Sequence, residues 1–230
     1  MSGVLEAVTA SGPVFRLARA PDPWAWPDWS HAGLDGTFGN RWDDSEGEYR
    51  VLYASSTRFG ALLETLARFR PDLAAVAAVR EIGGDGDALA AGTVPSEWFG
   101  RRVMGVAELA GSYADIGAAA SLATIRSQLA ARALHHGLAD VDAGAIRVAA
   151  PRAFTQEMSR LVYGSRDAEG EAFAGIRYRS RFDDGTDNWA VFEPAPGEPA
   201  SMRVLEAEPV QPHDPDVTRA LAALGLRVQG

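Results

Sequence analysis

The strongest constraint on the fold is a strand that runs directly into an amphipathic helix. Residues 49–55 are rich in aromatic and β-branched side chains, and their alternation places Tyr49, Val51 and Tyr53 on one face of a strand. Over residues 57–69, apolar side chains recur with the i, i+3, i+4, i+7 spacing of an amphipathic helix. This segment predicts a strand–helix unit that packs against a shared core.

The other segments carry similar but weaker signals. Further strands are predicted at residues 13–18, 75–82, 176–178, 189–192 and 202–209, further helices at 117–136, 153–163 and 214–224, and a turn at Gly83–Asp87. Prolines exclude a regular helix from the tryptophan-rich stretch 21–29, which is predicted to be an ordered loop. Strands and helices are intermixed without a strict β–α–β rhythm. The predicted class is therefore α+β, with a compact mixed or antiparallel sheet flanked by helices.

The composition indicates a globular protein and excludes several kinds of site. The 230 residues carry a net charge of −9, which disfavours general binding to nucleic acid. The chain has no cysteine, so disulfides, zinc–thiolate sites and cysteine nucleophiles are excluded. Because no signal peptide and no membrane-spanning stretch is recognisable, the predicted location is the cytoplasm, without membrane contact.

Three short segments resemble the RES family, which is named for an arginine, a glutamate and a serine. They are Gly39-Asn40-Arg41-Trp42, then residues 51–55 running into 61–65, and then residues 175–181 followed by 188–192. Their order and spacing are similar to the family's over roughly residues 13–193. The prediction is a single domain over residues 1–230, with a tryptophan-rich loop at 21–45 and a strand–helix extension at 194–230.

The resemblance implies a fold similar to that of ADP-ribosyltransferase toxins. Characterised members of the family are toxins of bacterial toxin–antitoxin pairs, and they degrade NAD by phosphorolysis or hydrolysis, or modify a protein with ADP-ribose. Their antitoxins carry a helix-turn-helix region and plug the active site. The resemblance thus implies NAD as substrate, inorganic phosphate as a second small-molecule partner and an antitoxin as protein partner. No separate cofactor and no metal is expected, and the oligomeric state stays open.

The resemblance also assigns roles residue by residue. Arg41 matches the family arginine and would pair with the NAD pyrophosphate, because a guanidinium fork fits phosphate oxygens. Glu64 matches the glutamate and would stabilise the cationic ribose that forms when nicotinamide leaves. Ser180 matches the serine and would hydrogen-bond the nicotinamide ribose or amide. Tyr53 and Trp42 would stack on or wall the nicotinamide ring, although the family often has tyrosine where Trp42 stands.

Without the resemblance, each of these residues has a plainer interpretation. Periodicity puts Glu64 opposite the apolar stripe of its helix, as a solvated residue or one that lines a cleft. Arg41 would be a surface arginine, Tyr53 a half-buried strand aromatic and Ser180 a turn residue. Asn188 would be a turn or strand-start residue, and its position next to the third segment adds it to the residues that would line the NAD site.

Several functions stay open at this point. The first is an NAD-degrading enzyme, and the second is a protein ADP-ribosyltransferase that uses the same NAD site. The third is a nucleotide-binding or interaction module without catalysis, which the combined presence of Arg41, Glu64 and Ser180 disfavours. An unrelated α+β protein is the fourth, because short motifs also match by chance.

Overall fold

Most strands of the protein belong to one curled sheet. The computed structural model describes residues 4–81, 92–148 and 151–229. In chain order the strands are β1 Ala7–Val8, β2 Val14–Arg19, β3 Val51–Ser55, β4 Gly92–Pro95, β5 Arg102–Leu109, β6 Tyr113–Asp115, β7 Gly175–Arg179, β8 Asp187–Phe192, β9 Met202–Pro209 and β10 Leu226–Gln229. Eight of them form a sheet in the order β1-β6-β7-β8-β3-β2-β5-β9, while β10 and β4 pair separately. All neighbours in the large sheet are antiparallel except β6 and β7, so the predicted α+β class is confirmed.

The four helices that the sequence predicts begin and end close to the expected positions. In the described ranges the helices are α1 Arg58–Leu66, α2 Leu73–Glu81, α3 Ser96–Phe99, α4 Ala119–His135, α5 Ala143–Val148, α6 Arg152–Tyr163 and α7 Pro215–Leu224. Thr57 caps α1, because its side chain accepts a hydrogen bond from the Gly60 backbone N–H. After α1, a 3-10 turn at Ala67–Phe69 completes the predicted helical segment.

The two faces of the sheet are covered differently. Because side chains alternate along a strand, Val51 and Leu52 of β3 enter two different apolar clusters. Helices α4, α5 and α6 pack on the cluster that contains Val51, and α1 and α7 pack on a neighbouring cluster around Leu17. The cluster that contains Leu52 includes Trp24 from the predicted N-terminal loop. The helix-covered face thus has two adjoining cores, and the candidate site lies where they meet.

Gly105 in the middle of β5 allows the N-terminal loop to lie on the sheet. A Cβ atom at this position would be 2.4 Å from Trp24 Nε1 and 2.5 Å from Pro23 Cγ, closer than any side chain tolerates. The close approach buries Trp24, and the prediction of an ordered loop there is confirmed. The segment after residue 194 joins the same sheet, because β9 pairs with β5.

One strand prediction is wrong, and several elements were not predicted. Residues 75–82 were expected to form a strand, yet α2 covers Leu73–Glu81, because four alanines give this segment a high helix propensity. Strands β1, β4, β5, β6 and β10 and helices α3 and α5 had no prediction; the glycine in β5 weakens its strand pattern. The predicted turn at Gly83–Asp87 lies outside the described residues.

Candidate active site

One row of residues across four neighbouring strands forms the floor of a cleft on the helix-covered face. Phe15 of β2 lies opposite Ser55 of β3, Ser55 opposite Asn188 of β8, and Asn188 opposite Tyr178 of β7. All four line one cavity of about 340 Å³, which we call the active-site cleft. This size is typical of small-molecule sites, which range over about 300–1,000 Å³. The register of the sheet therefore brings together residues that are far apart along the chain.

Glu64 projects into this cleft from α1 and is held through one carboxylate oxygen. Its Oε1 accepts a hydrogen bond from Ser180 Oγ at 2.7 Å and another from Asn188 Nδ2 at 2.8 Å. Asn188 is fixed in turn, because its Oδ1 accepts a hydrogen bond from Ser55 Oγ at 2.6 Å. Oε2 accepts no hydrogen bond from any described residue, so one oxygen of a well-oriented carboxylate is available to a ligand.

Gly60 sets how closely α1 approaches the sheet. A Cβ atom at this position would be 2.4 Å from both Ser55 Oγ and Thr186 Cγ2. Glycine therefore lets the first turn of α1 lie directly on the ends of β3 and β8. Glu64 is one helical turn further along the same helix, so this contact brings its carboxylate within hydrogen-bonding distance of Asn188.

Ser180 lies behind Glu64 and outside the lining of the cleft. Its side chain is fully buried, and its Oγ accepts a hydrogen bond from the Phe182 N–H at 3.0 Å while donating to Glu64. A hydroxyl in this position cannot reach a ligand without displacing the carboxylate. The expected direct hydrogen bond from Ser180 to the ribose or amide is therefore corrected: Ser180 is a positioning residue for Glu64.

Arg41 lines the cleft beside Tyr178 of the sheet row, and no carboxylate of a described residue holds it. Its guanidinium donates a hydrogen bond to the Ile146 carbonyl and lies 4.9 Å from the Trp42 ring centroid and 5.1 Å from that of Tyr178. Burial lowers the pKa of Arg41, while Tyr178 and Glu64 raise it in part. The charge is therefore kept in a partly desolvated environment where an anion would be strongly attracted.

The loop that carries Arg41 is fixed by Tyr53 and by α6. The Tyr53 hydroxyl donates to Asp43 Oδ1 at 3.1 Å and accepts from the Trp42 N–H at 3.0 Å. From α6, Ser159 Oγ donates to the Trp42 carbonyl at 2.6 Å. Burial raises the pKa of Tyr53 well above its ordinary value, so the phenol stays protonated and keeps both contacts. Tyr53 also lines the cleft, and its contact with a nicotinamide ring stays a prediction.

Trp42 does not line the cleft. Its side chain is fully buried, and its ring is 5.4 Å from that of Tyr178, with Arg41 lying over both. The expectation that Trp42 walls the nicotinamide ring is corrected, because the indole is part of the core that supports Arg41. An aromatic ring at this position supports the guanidinium whether or not it carries a hydroxyl.

The charge in the cleft is opposite to that of the whole chain. Four arginines and one glutamate line it, namely Arg16, Arg41, Arg152, Arg181 and Glu64. None of these arginines forms a salt bridge with a described residue, whereas nine arginines elsewhere do. The cleft is thus strongly cationic in a chain whose net charge is −9.

Arg16 lines the cleft and donates hydrogen bonds to two backbone carbonyls. Its Nε donates to the Pro23 carbonyl at 2.7 Å and one terminal nitrogen donates to the Tyr53 carbonyl at 2.9 Å. Burial lowers its pKa to about 10, with a small opposing contribution from Tyr53. The guanidinium stays charged at neutral pH and is bound only to neutral groups.

The sequence interpretation missed several residues of the cleft. Tyr178 and Arg181 flank Ser180 in the quoted segment, and their proximity to it was the available signal. Ser55 closes the strand that carries Tyr53 and orients Asn188. Arg16 and Arg152 gave no signal, because their place in the cleft depends on strand pairing and on the packing of α6.

A larger cavity of about 620 Å³ contains none of the predicted site residues. Its charged lining is mainly acidic, with one arginine against Asp167, Glu171, Glu193 and Glu198. A dinucleotide carries negative charge on its pyrophosphate, so this lining would repel it. The smaller cleft is the better candidate for an anionic substrate in spite of its size.

Comparison with known families decides the family of the chain. A family model described as the RES domain matches residues 13–216. The chain belongs to the RES-domain family. No curated protein matches it significantly in sequence. Among solved structures, this RES-domain chain is similar to one in the "Crystal structure of the M.tuberculosis MbcT-MbcA toxin-antitoxin complex", with 10% identity and a TM-score of 0.55. The match covers 96% of this chain and 93% of the other, and at that identity it shows a common fold.

Two searches of the described residues complete the description of the RES-domain chain. No described helix is both long enough and apolar enough to cross a membrane. The described ranges also hold no group of three or more histidine or acidic side chains that is arranged to bind a metal ion.

Proposed function

We propose that this RES-domain protein cleaves NAD at the bond between nicotinamide and ribose. The observation that carries the proposal is the cleft itself, where an oriented carboxylate shares the lining with four arginines that have no carboxylate partner among the described residues. NAD offers the complementary charges, because its pyrophosphate is anionic and its nicotinamide ribose becomes cationic as the bond breaks. Few other common metabolites need both a cationic binding surface and a single carboxylate.

In the proposed reaction, the bond between ribose C1′ and the nicotinamide nitrogen breaks, and both bonding electrons leave with nicotinamide. Nicotinamide departs as a neutral molecule, so no general acid is needed. Glu64 stabilises the resulting oxocarbenium-like ribose through its charge, because its carboxylate is already held in one orientation. Water or inorganic phosphate then attacks C1′, giving ADP-ribose or its 1-phosphate; the proton released by water goes to solvent.

Arg41 and its neighbours have a binding role in this proposal. Guanidinium groups fit phosphate oxygens through paired hydrogen bonds, and the arginines of the cleft have no competing carboxylate. The Tyr53 and Tyr178 rings line the same cleft and offer flat surfaces for the nicotinamide or adenine ring. Ser180 and Asn188 keep Glu64 in one orientation, and Asn188, which lines the cleft, would also contact the ribose.

The proposal is tested by measuring the release of nicotinamide from NAD, with and without phosphate, for the wild type and for Glu64→Gln. We expect release by the wild type, faster with phosphate if the reaction is phosphorolysis, and almost none by the variant. Glutamine can still accept both hydrogen bonds through its carbonyl oxygen, so the fold should persist and its melting temperature serves as the control. Normal turnover by Glu64→Gln would refute the assignment.

NAD labelled on the adenosine moiety distinguishes the two enzymatic alternatives in the same reaction. A free labelled product identifies a glycohydrolase or phosphorylase, whereas label transferred to a protein identifies an ADP-ribosyltransferase. NAD binding in a calorimeter with no product over hours would instead indicate a module without catalysis. The cleft contains the groups that all three functions need for binding, and only the first two need Glu64.

We also propose that the protein acts as a toxin held in check by a protein antitoxin. The support is family membership and a fold shared with a chain of a toxin–antitoxin complex. Expression of the wild type should arrest growth and deplete cellular NAD, whereas Glu64→Gln should do neither. Co-expression of the neighbouring reading frame should restore growth. Growth arrest by Glu64→Gln at equal protein levels would separate any toxicity from NAD cleavage.

A further inference from the structure

A second group of arginines, without carboxylate partners among the described residues, lies at the end of β2, two residues beyond Leu17 of the active-site cleft. In the antiparallel register of β2 and β5, Arg19 lies directly opposite Arg102. Like charges directly opposite each other destabilise a sheet. Arg101 adjoins them, and all three line a cavity of about 540 Å³, which we call the distal cavity.

Within the described ranges, nothing neutralises this group. None of Arg19, Arg101 and Arg102 forms a salt bridge there, and Glu97 is the one acidic residue in the lining. Most cationic side chains that a fold draws together are offset by nearby acids, as Arg160 is by three of them in this protein. In the distal cavity, by contrast, no described acid forms a salt bridge with any of the three arginines.

Arg102 is the most constrained member of the group. Its guanidinium carbon lies 4.7 Å from the centroid of the Trp98 ring, and its Nε is buried with no hydrogen-bond partner. Burial lowers the pKa of Arg102, and the charges of Arg19 and Arg68 lower it further. The indole thus holds a partly desolvated cation in place beside two like charges, and the Nε–H of Arg102 has no hydrogen-bond partner among the described residues.

We propose that the distal cavity binds the phosphate chain of a small, multiply charged anion. A single carboxylate has two oxygens and can satisfy one guanidinium fork, whereas a di- or triphosphate presents enough oxygens and charge for three arginines at once. Such a ligand would offset the repulsion between Arg19 and Arg102. This inference does not depend on the proposed NAD cleavage, because it concerns different residues in a separate cavity.

The test compares inorganic tripolyphosphate binding to the wild type and to two double variants at about 0.15 M salt, where weak surface attraction is largely screened. Arg19→Ser/Arg101→Ser removes the two exposed arginines of the distal cavity, and Arg152→Ser/Arg181→Ser removes two exposed arginines of the active-site cleft as the matched control. Calorimetry and the melting temperature are measured for each protein.

We expect the distal variant to lose one tripolyphosphate site, with at least about a tenfold drop in its affinity, and to lose the associated rise in melting temperature. The cleft variant should keep that site. Without ligand and at low salt, the distal variant should melt at a higher temperature than the wild type, because like-charge repulsion is relieved. A nucleoside triphosphate that binds like tripolyphosphate identifies the phosphate chain as the recognised group, and tighter binding adds a contact with the base.

Several results would overturn the inference. One is an unchanged tripolyphosphate isotherm in the distal variant, which would assign all binding to the active-site cleft. A second is an equal rise in melting temperature with sodium chloride of matched ionic strength, which would show charge screening only. A third is a lower melting temperature of the unliganded distal variant, which would make the arginines structural.

Discussion

The carboxylate side and the arginine side of the active-site cleft are built from different kinds of contact. Glu64 is exposed, yet hydrogen bonds from Ser180 and Asn188 hold one of its carboxylate oxygens. Arg41 is partly buried, but it is held by a backbone carbonyl and two aromatic rings. Hydrogen bonds to one oxygen of Glu64 fix the direction of its carboxylate. The described contacts of Arg41 are with neutral groups, so they leave its positive charge uncompensated. In the proposed function, the glutamate side acts on a reacting atom and the arginine side binds an anion.

The largest effect should come from removing the charge on the carboxylate side. Glu64→Gln should lower kcat for nicotinamide release by about 100- to 1,000-fold, as the loss of one preorganised electrostatic contact does in other enzymes. KM should change little, because the ground-state contacts persist. Steady-state kinetics on purified protein measure both constants. An effect on KM alone would mean that the two sides do not differ as described.

Removing the charge of Arg41 should mainly raise KM, whereas removing the charge of Glu64 mainly lowers kcat. Arg41→Gln should raise KM for NAD by about 10- to 100-fold, because a hydrogen bond between charged groups contributes about 1.5–3 kcal/mol. Its effect on kcat should be smaller than that of Glu64→Gln. The melting temperature shows whether the loop around Trp42 stays folded. A loss of kcat at unchanged KM would place Arg41 on the reacting side.

Removing the Ser180 hydroxyl, which orients Glu64, should have a smaller effect on kcat. Ser180→Ala should lower kcat by about tenfold, because the Glu64 carboxylate loses some of its orientation and one hydrogen bond of the kind that contributes about 1.5–3 kcal/mol to a charged group, while Asn188 still holds the same oxygen. KM for NAD should stay near the wild-type value, since Ser180 does not line the cleft. Ser127→Ala, an exposed serine on α4, is the matched control. If KM rises instead, Ser180 contacts the substrate after all.

The smallest effect on KM should come from Arg152, an exposed arginine of the cleft. Arg152→Ser should raise KM about three- to fivefold, because exposed charges are screened and contribute about 0–1 kcal/mol each. The increase should shrink at higher salt. Arg126→Ser on α4, an exposed arginine far from the cleft, should leave KM unchanged. A salt-independent increase would indicate that Arg152 makes a desolvated contact with NAD.

The sequence predicts the scaffold of the site well, because the scaffold is local. The strand over 51–55 and the helix that follows from residue 58 are set by alternation, apolar spacing and the Thr57 cap. These features place Tyr53 and Glu64 on neighbouring elements. A helical wheel also shows that Glu64 faces away from the apolar stripe, which is compatible with a cleft.

The sequence does not reveal how each residue contributes, because the contributions depend on long-range packing. Ser180 and Trp42 match the family pattern, yet one lies behind the carboxylate and the other beneath the arginine. The cationic lining depends on Arg16 and Arg152, which reach the cleft through strand pairing and helix packing. No local pattern marks either residue. Residues 75–82 show an error of the opposite kind, because an alanine-rich segment that was predicted to be a strand forms a helix.

The most direct measurement is a crystal structure of Glu64→Gln with NAD bound. The account predicts pyrophosphate oxygens within hydrogen-bonding distance of Arg41 and at least one other arginine of the cleft. It also predicts ribose C1′ beside the side chain at position 64, on the side of the oxygen that Ser180 and Asn188 leave unbound. NAD bound in another cavity, or with its adenosine end at position 64, would contradict the account.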